Sequence, residues 1–207
     1  MAQSGFPNAD SPLPCPAVTN IIPESSPEQV WRHNPPYERQ SEGFGPIQWR
    51  GKCLCGRITY VLNRAKPLNA KYCHCRGCQV AHGASFQWAA IFHKHEMAFT
   101  SGASGLVFYS STHHSQEHDL PTKVYCANCR TPIMDEGRKM CLIFPQLIEL
   151  EGSSDEQRQQ REIFKPTCHM FYESRMMDIP DGLPKWRGME NSSDLLDDHG
   201  KLIEVEK

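Results

Sequence analysis

Short apolar runs separated by Gly, Pro, Asn and Ser dominate the chain from Ile47 onward. They have the length of strands. In several of them apolar and polar side chains alternate, the period that buries one face of a β-sheet. The pattern predicts strands over residues 47–49, 57–62, 70–73, 84–92, 97–100, 106–109, 123–125, 133–135, 140–144 and 168–172, with Ile58, Tyr60 and Leu62 on one face. A different signal appears at Ser153 and Ser154, each followed three positions later by Glu or Gln, the arrangement that caps a helix start. The polar run behind them has only a weak apolar stripe, so a short exposed helix is expected there. The predicted fold class is mainly β.

The flanks read differently. Nine of the sixteen prolines fall within residues 1–46, where fixed φ and missing N–H groups discourage both ladders and helices. A proline-rich extension or wrapping arm is expected over 1–46, pinned in places by Val30, Trp31, Tyr37 and Phe44. Residues 47–188 form the expected domain, and 189–207 a charged tail with transient helix at its leucines. With 22 Lys and Arg against 24 Asp and Glu, the net charge of −2 supplies no general attraction to nucleic acid or anionic lipid. No apolar stretch is long enough to span a membrane, and the first residues lack the basic and apolar regions of a secretory signal. A cytoplasmic or nuclear location is expected, where thiols stay reduced. Self-association is left open.

Cysteine then changes the picture. Seven of the ten cysteines cluster as Cys53-x-Cys55, Cys73-x-Cys75-x-x-Cys78 and Cys126-x-x-Cys129, while Cys15, Cys141 and Cys168 stand alone. Closely spaced thiolates in a reducing compartment favour metal ligation over cross-links. Gly51 and Gly56 bracket the first pair and are expected to give the backbone freedom to aim two sulfurs at one ion. Two such pairs can enclose a zinc ion with four sulfurs, and spacing alone permits several pairings among the seven. Any set of four leaves three, enough to hold a second ion with one position open to chemistry. Cys141 and Cys168 are expected to fill strand positions.

The segments GKCLCGRITY, KYCHCRGCQVAHGASF, VYCANCRTPI, HMFYESR and DIPDGLPKW, in that order, resemble the glutathione-dependent formaldehyde-activating enzyme family, also called centromere protein V-like. The resemblance covers roughly residues 49–186. It implies an Mss4-like twisted β-sheet fold stabilised by zinc. It also implies that Cys53, Cys55, Cys126 and Cys129 form a closed structural site, and that Cys73, Cys75 and Cys78 form an open, catalytic one. Arg130 departs from the pattern, standing where members commonly carry glycine, and the polar stretch before Cys126 departs as well.

The activity implied is that of a carbon–sulfur lyase with two Zn2+ ions per chain and glutathione as substrate or co-substrate. The reaction forms or breaks an adduct such as S-hydroxymethylglutathione. A related lyase acting on a larger thiol–aldehyde adduct and a non-catalytic zinc-stabilised interaction domain are the alternatives. His82 is the leading candidate for proton transfer, with His74, Glu173 and Asp178 behind it and His169 read as a sheet residue. Lys71 and Arg76 are candidates for the carboxylates of glutathione, and Trp88, with Phe86 and Phe92, for packing beside its sulfur. Trp186 is placed at a pocket edge. His113 and His114 are expected in a solvated loop.

Overall fold

The computed structural model describes residues 31–38 and 43–203, so Cys15 and Val30 lie outside the described residues. In chain order the strands β1 to β3 are Trp49–Lys52, Thr59–Leu62 and Asn69–Cys73, and helix α1 is Arg76–His82. Strands β4 to β9 follow at Gln87–His93, Met97–Ser101, Leu106–Tyr109, Thr122–Cys126, Pro132–Glu136 and Met140–Ile143. Helix α2 is Ser154–Glu162, and β10 to β12 are the two-residue strands His169–Met170, Lys185–Trp186 and Leu195–Leu196. The fold is predominantly β. No helix among the described residues is long and apolar enough to cross a membrane.

A three-stranded antiparallel sheet, β1-β2-β5, accompanies a nine-stranded one ordered β12-β11-β10-β3-β4-β9-β8-β7-β6. Tyr60, Leu62, Met97 and Phe99 of the small sheet join Ala90, Phe92, Val124, Ile133, Met134, Cys141 and Ile143 of the large one in a single apolar core. Phe92 is fully buried there, which makes it a core residue and removes it from the candidates for contact with a thiol ligand. Cys141 is equally buried, and its thiol points to the Phe92 carbonyl at 3.7 Å.

Three local differences from the sequence reading have physical causes. Residues 76–82 form α1 because Cys75 caps it, in extended backbone with its sulfur accepting the Cys78 N–H at 3.4 Å, and Gly83 at φ 57° ends it. Gly51 is extended within β1 and does not turn the chain. It faces Tyr60 across the ladder, where a Cβ would stand 2.3 Å from the tyrosine ring, so close approach is what requires glycine. Gly56, at φ 73°, does turn the chain. Finally, Leu195 and Leu196 form a strand antiparallel to β11 rather than a helix, since an unpaired sheet edge offers them backbone partners that a single helical turn lacks. Helix α2 is exposed and carries its capping box at Ser153 and Glu156, as the polar pattern requires.

The segment 31–38 is held by a buried carboxylate. Glu136, with a fully buried side chain, accepts from the Tyr37 hydroxyl at 2.5 Å and from His118 Nε2 at 2.7 Å, and it pairs with Lys94. Trp31 stacks on His118 with ring centroids 4.6 Å apart. Burial alone would raise the Glu136 carboxyl, but the bonds from His118, Lys94 and Tyr37 outweigh it and hold the group below the usual carboxylate range. A depressed folded-state value contributes stability above the ordinary carboxyl pKa near ~4.3, lost as pH falls through the folded value. Tyr37→Phe is therefore expected to lower stability at neutral pH by about 1.5–3 kcal/mol in urea unfolding. Unchanged stability would contradict this role for Tyr37.

Candidate metal and thiol site

Two groups of sulfur atoms converge. The Sγ atoms of Cys53, Cys55, Cys126 and Cys129 lie within 4.8 Å of one another, and those of Cys73, Cys75 and Cys78 do the same. In the first group, Cys53 and Cys55 follow β1, while Cys126 ends β7 and Cys129 completes the tight turn into β8. Thr131 holds the two knuckles together: its hydroxyl accepts the Leu54 N–H at 3.2 Å and lies 3.1 Å from Cys129 Sγ. The Cys53 sulfur is buried and accepts the Ile58 N–H at 3.3 Å. Burial pushes the Cys126 thiol up to about 11. Burial also opposes ionisation of Cys129, but hydrogen bonds from the Thr131 hydroxyl and from backbone N–H groups bring it down to about 5.

The second group is built from the end of β3 and the first turn of α1. Its three half-buried sulfurs share protons, so hydrogen bonds from Cys73 and Cys78 hold Cys75 far below its ordinary value. Cys73 is raised to about 11, and Cys78 is raised further. Soft thiolate donors brought this close are a set that fits a soft divalent ion. Four sulfurs make a closed site and three leave a position over.

The surroundings of the three-sulfur group define a site. His82 sits four residues after Cys78 on α1, on the same helical face, and Gln87 stands opposite Cys73 in the β3–β4 ladder. Both line a pocket of about 190 Å³ walled by Phe86, Trp88, Pro132, Phe144 and Leu147. His82 Nε2 and Gln87 Oε1 are buried with no hydrogen-bond partner, a costly arrangement unless a ligand or water completes it. Burial lowers the His82 pKa and the positive charge of Lys123 adds to that, against smaller opposing effects of Asp135 and the neighbouring Gln87 side chain. Lys123 is itself half-buried, pairs with Asp135 at 2.9 Å, and favours the thiolate forms of Cys75 and Cys78. Asp135 also accepts from Gln87 Nε2 at 3.0 Å. Lys123, Asp135 and Gln87 were not singled out from the sequence. The alternation of β7 and β8 marks their faces, but nothing in the chain shows that those faces meet α1.

Other expected site residues are engaged elsewhere. His74 is buried between the two cysteines. In that extended segment alternate side chains point to opposite sides, and His74 turns to His169, with Nε2 2.8 Å from His169 Nδ1. His169 Nε2 in turn lies 2.9 Å from Asp181. Lys71 is paired with Glu190, which occupies it as a carboxylate binder. Glu173 pairs with Arg187 at 3.0 Å, and Asp178 pairs with Arg175 at 2.7 Å and His199 at 2.8 Å, all at the surface. Exposed ion pairs satisfy those two carboxylates, so the structure does not bring them to the pocket as proton carriers. Arg76 is exposed at the start of α1. Trp88 does line the pocket, its indole N–H anchored to the Phe164 carbonyl at 3.0 Å. Trp186 lies in β11, and His113 and His114 are exposed.

A mainly β scaffold carrying one four-sulfur and one three-sulfur cluster defines the class of a cysteine-rich candidate metalloprotein. The chain belongs to the glutathione-dependent formaldehyde-activating enzyme family, whose model matches residues 48–174. No curated protein matches it. A Rhodobacter sphaeroides protein of known crystal structure is similar at 18% identity over 51% of this chain and 93% of its own, with a TM-score of 0.39.

Titration of the apoprotein with Co2+ is expected to give thiolate charge-transfer absorption that saturates at two equivalents. Cys126→Ser and Cys78→Ser should each remove one, with the thermal midpoint falling more for Cys126→Ser. Saturation at one equivalent in the unmodified chain would contradict two independent sites.

Proposed function

We propose that this chain is a carbon–sulfur lyase that makes or breaks a thiol–aldehyde adduct, with S-hydroxymethylglutathione the first candidate, on an Mss4-like zinc-stabilised scaffold. A cytoplasmic or nuclear setting, rich in reduced glutathione, is part of the reading. Cys53, Cys55, Cys126 and Cys129 would hold one Zn2+ that ties β1 to the β7–β8 turn. Cys73, Cys75 and Cys78 would hold a second, which would supply stabilisation of the substrate sulfur as its thiolate.

One observation carries the reading: a three-thiol cluster beside a small apolar pocket with two buried polar atoms, His82 Nε2 and Gln87 Oε1, left without partners. In cleavage, His82 Nε2 takes the proton of the adduct hydroxyl. The freed O–H pair becomes the second bond of the carbonyl, and the C–S pair leaves with the sulfur, giving aldehyde, thiolate and protonated His82. Synthesis is the reverse, with His82 returning the proton to the oxygen. The low His82 pKa keeps the ring neutral and ready to accept at neutral pH. Gln87 is fixed by Asp135, and its side chain lies beside His82 on the same pocket wall. The positive charge of Lys123 offsets the accumulation of negative charge on Cys75 and Cys78.

The pocket volume of about 190 Å³ exceeds what a one-carbon aldehyde fills, which leaves room for the second reading, an adduct of a larger aldehyde on the same residues. His82→Asn is expected to lower kcat for adduct decomposition by ~10²–10⁴ after subtraction of the uncatalysed rate, with metal content unchanged. Glu173→Gln and Asp178→Asn should leave kcat as it was. An unaltered kcat in His82→Asn would remove His82 from the reaction.

A further inference from the structure

Arg130 is unusual in two independent ways. Its backbone lies in the left-handed region at φ 59°, a conformation natural to glycine and disfavoured for any residue with a Cβ. The knuckle imposes it, since the Arg130 N–H bonds the Cys126 carbonyl at 2.9 Å and the Cys126 N–H bonds the Thr131 carbonyl at 3.0 Å. Yet the side chain is exposed, and among the described residues no ion pair or side-chain hydrogen bond engages its guanidinium. A strained arginine with an idle cation points to a ligand outside the chain.

Arg130 lines a groove of about 890 Å³ that runs along the edge strand β6. Ala81 of α1, Tyr109 and Tyr125 line it as well. Ala81 is three residues past Cys78 on α1, so this groove adjoins the helix that carries part of the three-sulfur cluster. The other guanidinium in the groove, Arg32, is spread over the Trp31 ring at 5.2 Å. Glu117 and Asp119 also lie in the groove, so its charge suits a ligand with an ammonium beside its carboxylate rather than a polyanion.

We propose that Arg130 and this groove form a subsite for a carboxylate carried by the substrate away from the reacting carbon, which makes Arg130 a specificity-determining residue. The inference rests on the lyase reading. Arg130 presents a planar fork of donors to the carboxylate, and the two tyrosines flank the connecting chain. The carboxylate has two chemical sources: the thiol, if it is a peptide, or the aldehyde, if it is an oxo-acid.

The test uses the full-length metal-loaded protein, its Arg130→Gly and Arg130→Lys variants, thermal unfolding and calorimetric binding. One arm compares glutathione with glutathione diethyl ester. The other compares succinic semialdehyde, whose carboxylate is remote from its carbonyl carbon, with butanal, each in the presence of 2-mercaptoethanol. Arg130→Gly should melt no lower than the parent and bind the carboxylate-bearing probe about tenfold more weakly, with affinity for the carboxylate-free counterpart unchanged. Arg130→Lys should fall between. A loss confined to glutathione assigns the carboxylate to the thiol, and one confined to succinic semialdehyde assigns it to the aldehyde. Equal affinity of parent and Arg130→Gly for both carboxylates overturns the subsite alone, as does a parallel loss for carboxylate-bearing and carboxylate-free probes or a lower melting point of Arg130→Gly. A parent protein that binds no thiol probe overturns the lyase reading with it.

Discussion

Seven sulfur atoms crowded into two groups are what the rest of the structure has to accommodate. Thiolates within 4.8 Å of one another repel unless they share protons or a cation. The fold answers this differently at the two places. At the four-sulfur group, two turns far apart in sequence are pinned through Thr131 and through backbone N–H donors to sulfur. At the three-sulfur group the segment is local, a strand end running into a helix, and the positive charge comes from Lys123 on β7. One cluster joins distant parts of the chain, and the other is presented by a single bend of it.

In the proposed function that difference divides the labour. A closed set of four donors, with Cys53 and Cys126 buried, joins β1 to the β7–β8 turn and contributes to holding the small sheet against the large one. The three-donor set is half-buried, with His82 and Gln87 leading from it to an apolar pocket, and would leave room for an outside sulfur. The histidines follow the same logic. His74 is directed by strand alternation into a buried chain with His169 and Asp181, which braces the C-x-C bend from behind. His82, one helical turn past Cys78, is left with an unpartnered nitrogen on the pocket side.

Much of this was legible in the sequence because it depends on local spacing. The cysteine runs, the strand-length apolar segments and the Ser153 capping box are properties of neighbouring residues, and the structure places them accordingly. What escaped depends on pairs far apart in the chain. Lys123 and Asp135 look like ordinary polar strand positions until β7 and β8 lie beside α1. Lys71 and Asp178 look like free charges until Glu190 and His199 arrive to neutralise them. Gly51 looked like a hinge because its sequence neighbours are cysteines, whereas its role is set by Tyr60 across the ladder. The helix over Arg76–His82 was hidden because cysteine is an uncommon cap, and the leucines near the C-terminus because a sheet edge is invisible from one strand.

The most direct test of the account is X-ray absorption at the zinc edge of the full-length protein with and without glutathione. Two environments, one closed by sulfur and one not, predict that added glutathione raises the number of sulfur neighbours per zinc while the nitrogen or oxygen shell shrinks. A spectrum that does not change on adding glutathione at saturating concentration would contradict the claim that the Cys73, Cys75 and Cys78 site is open to an outside thiol.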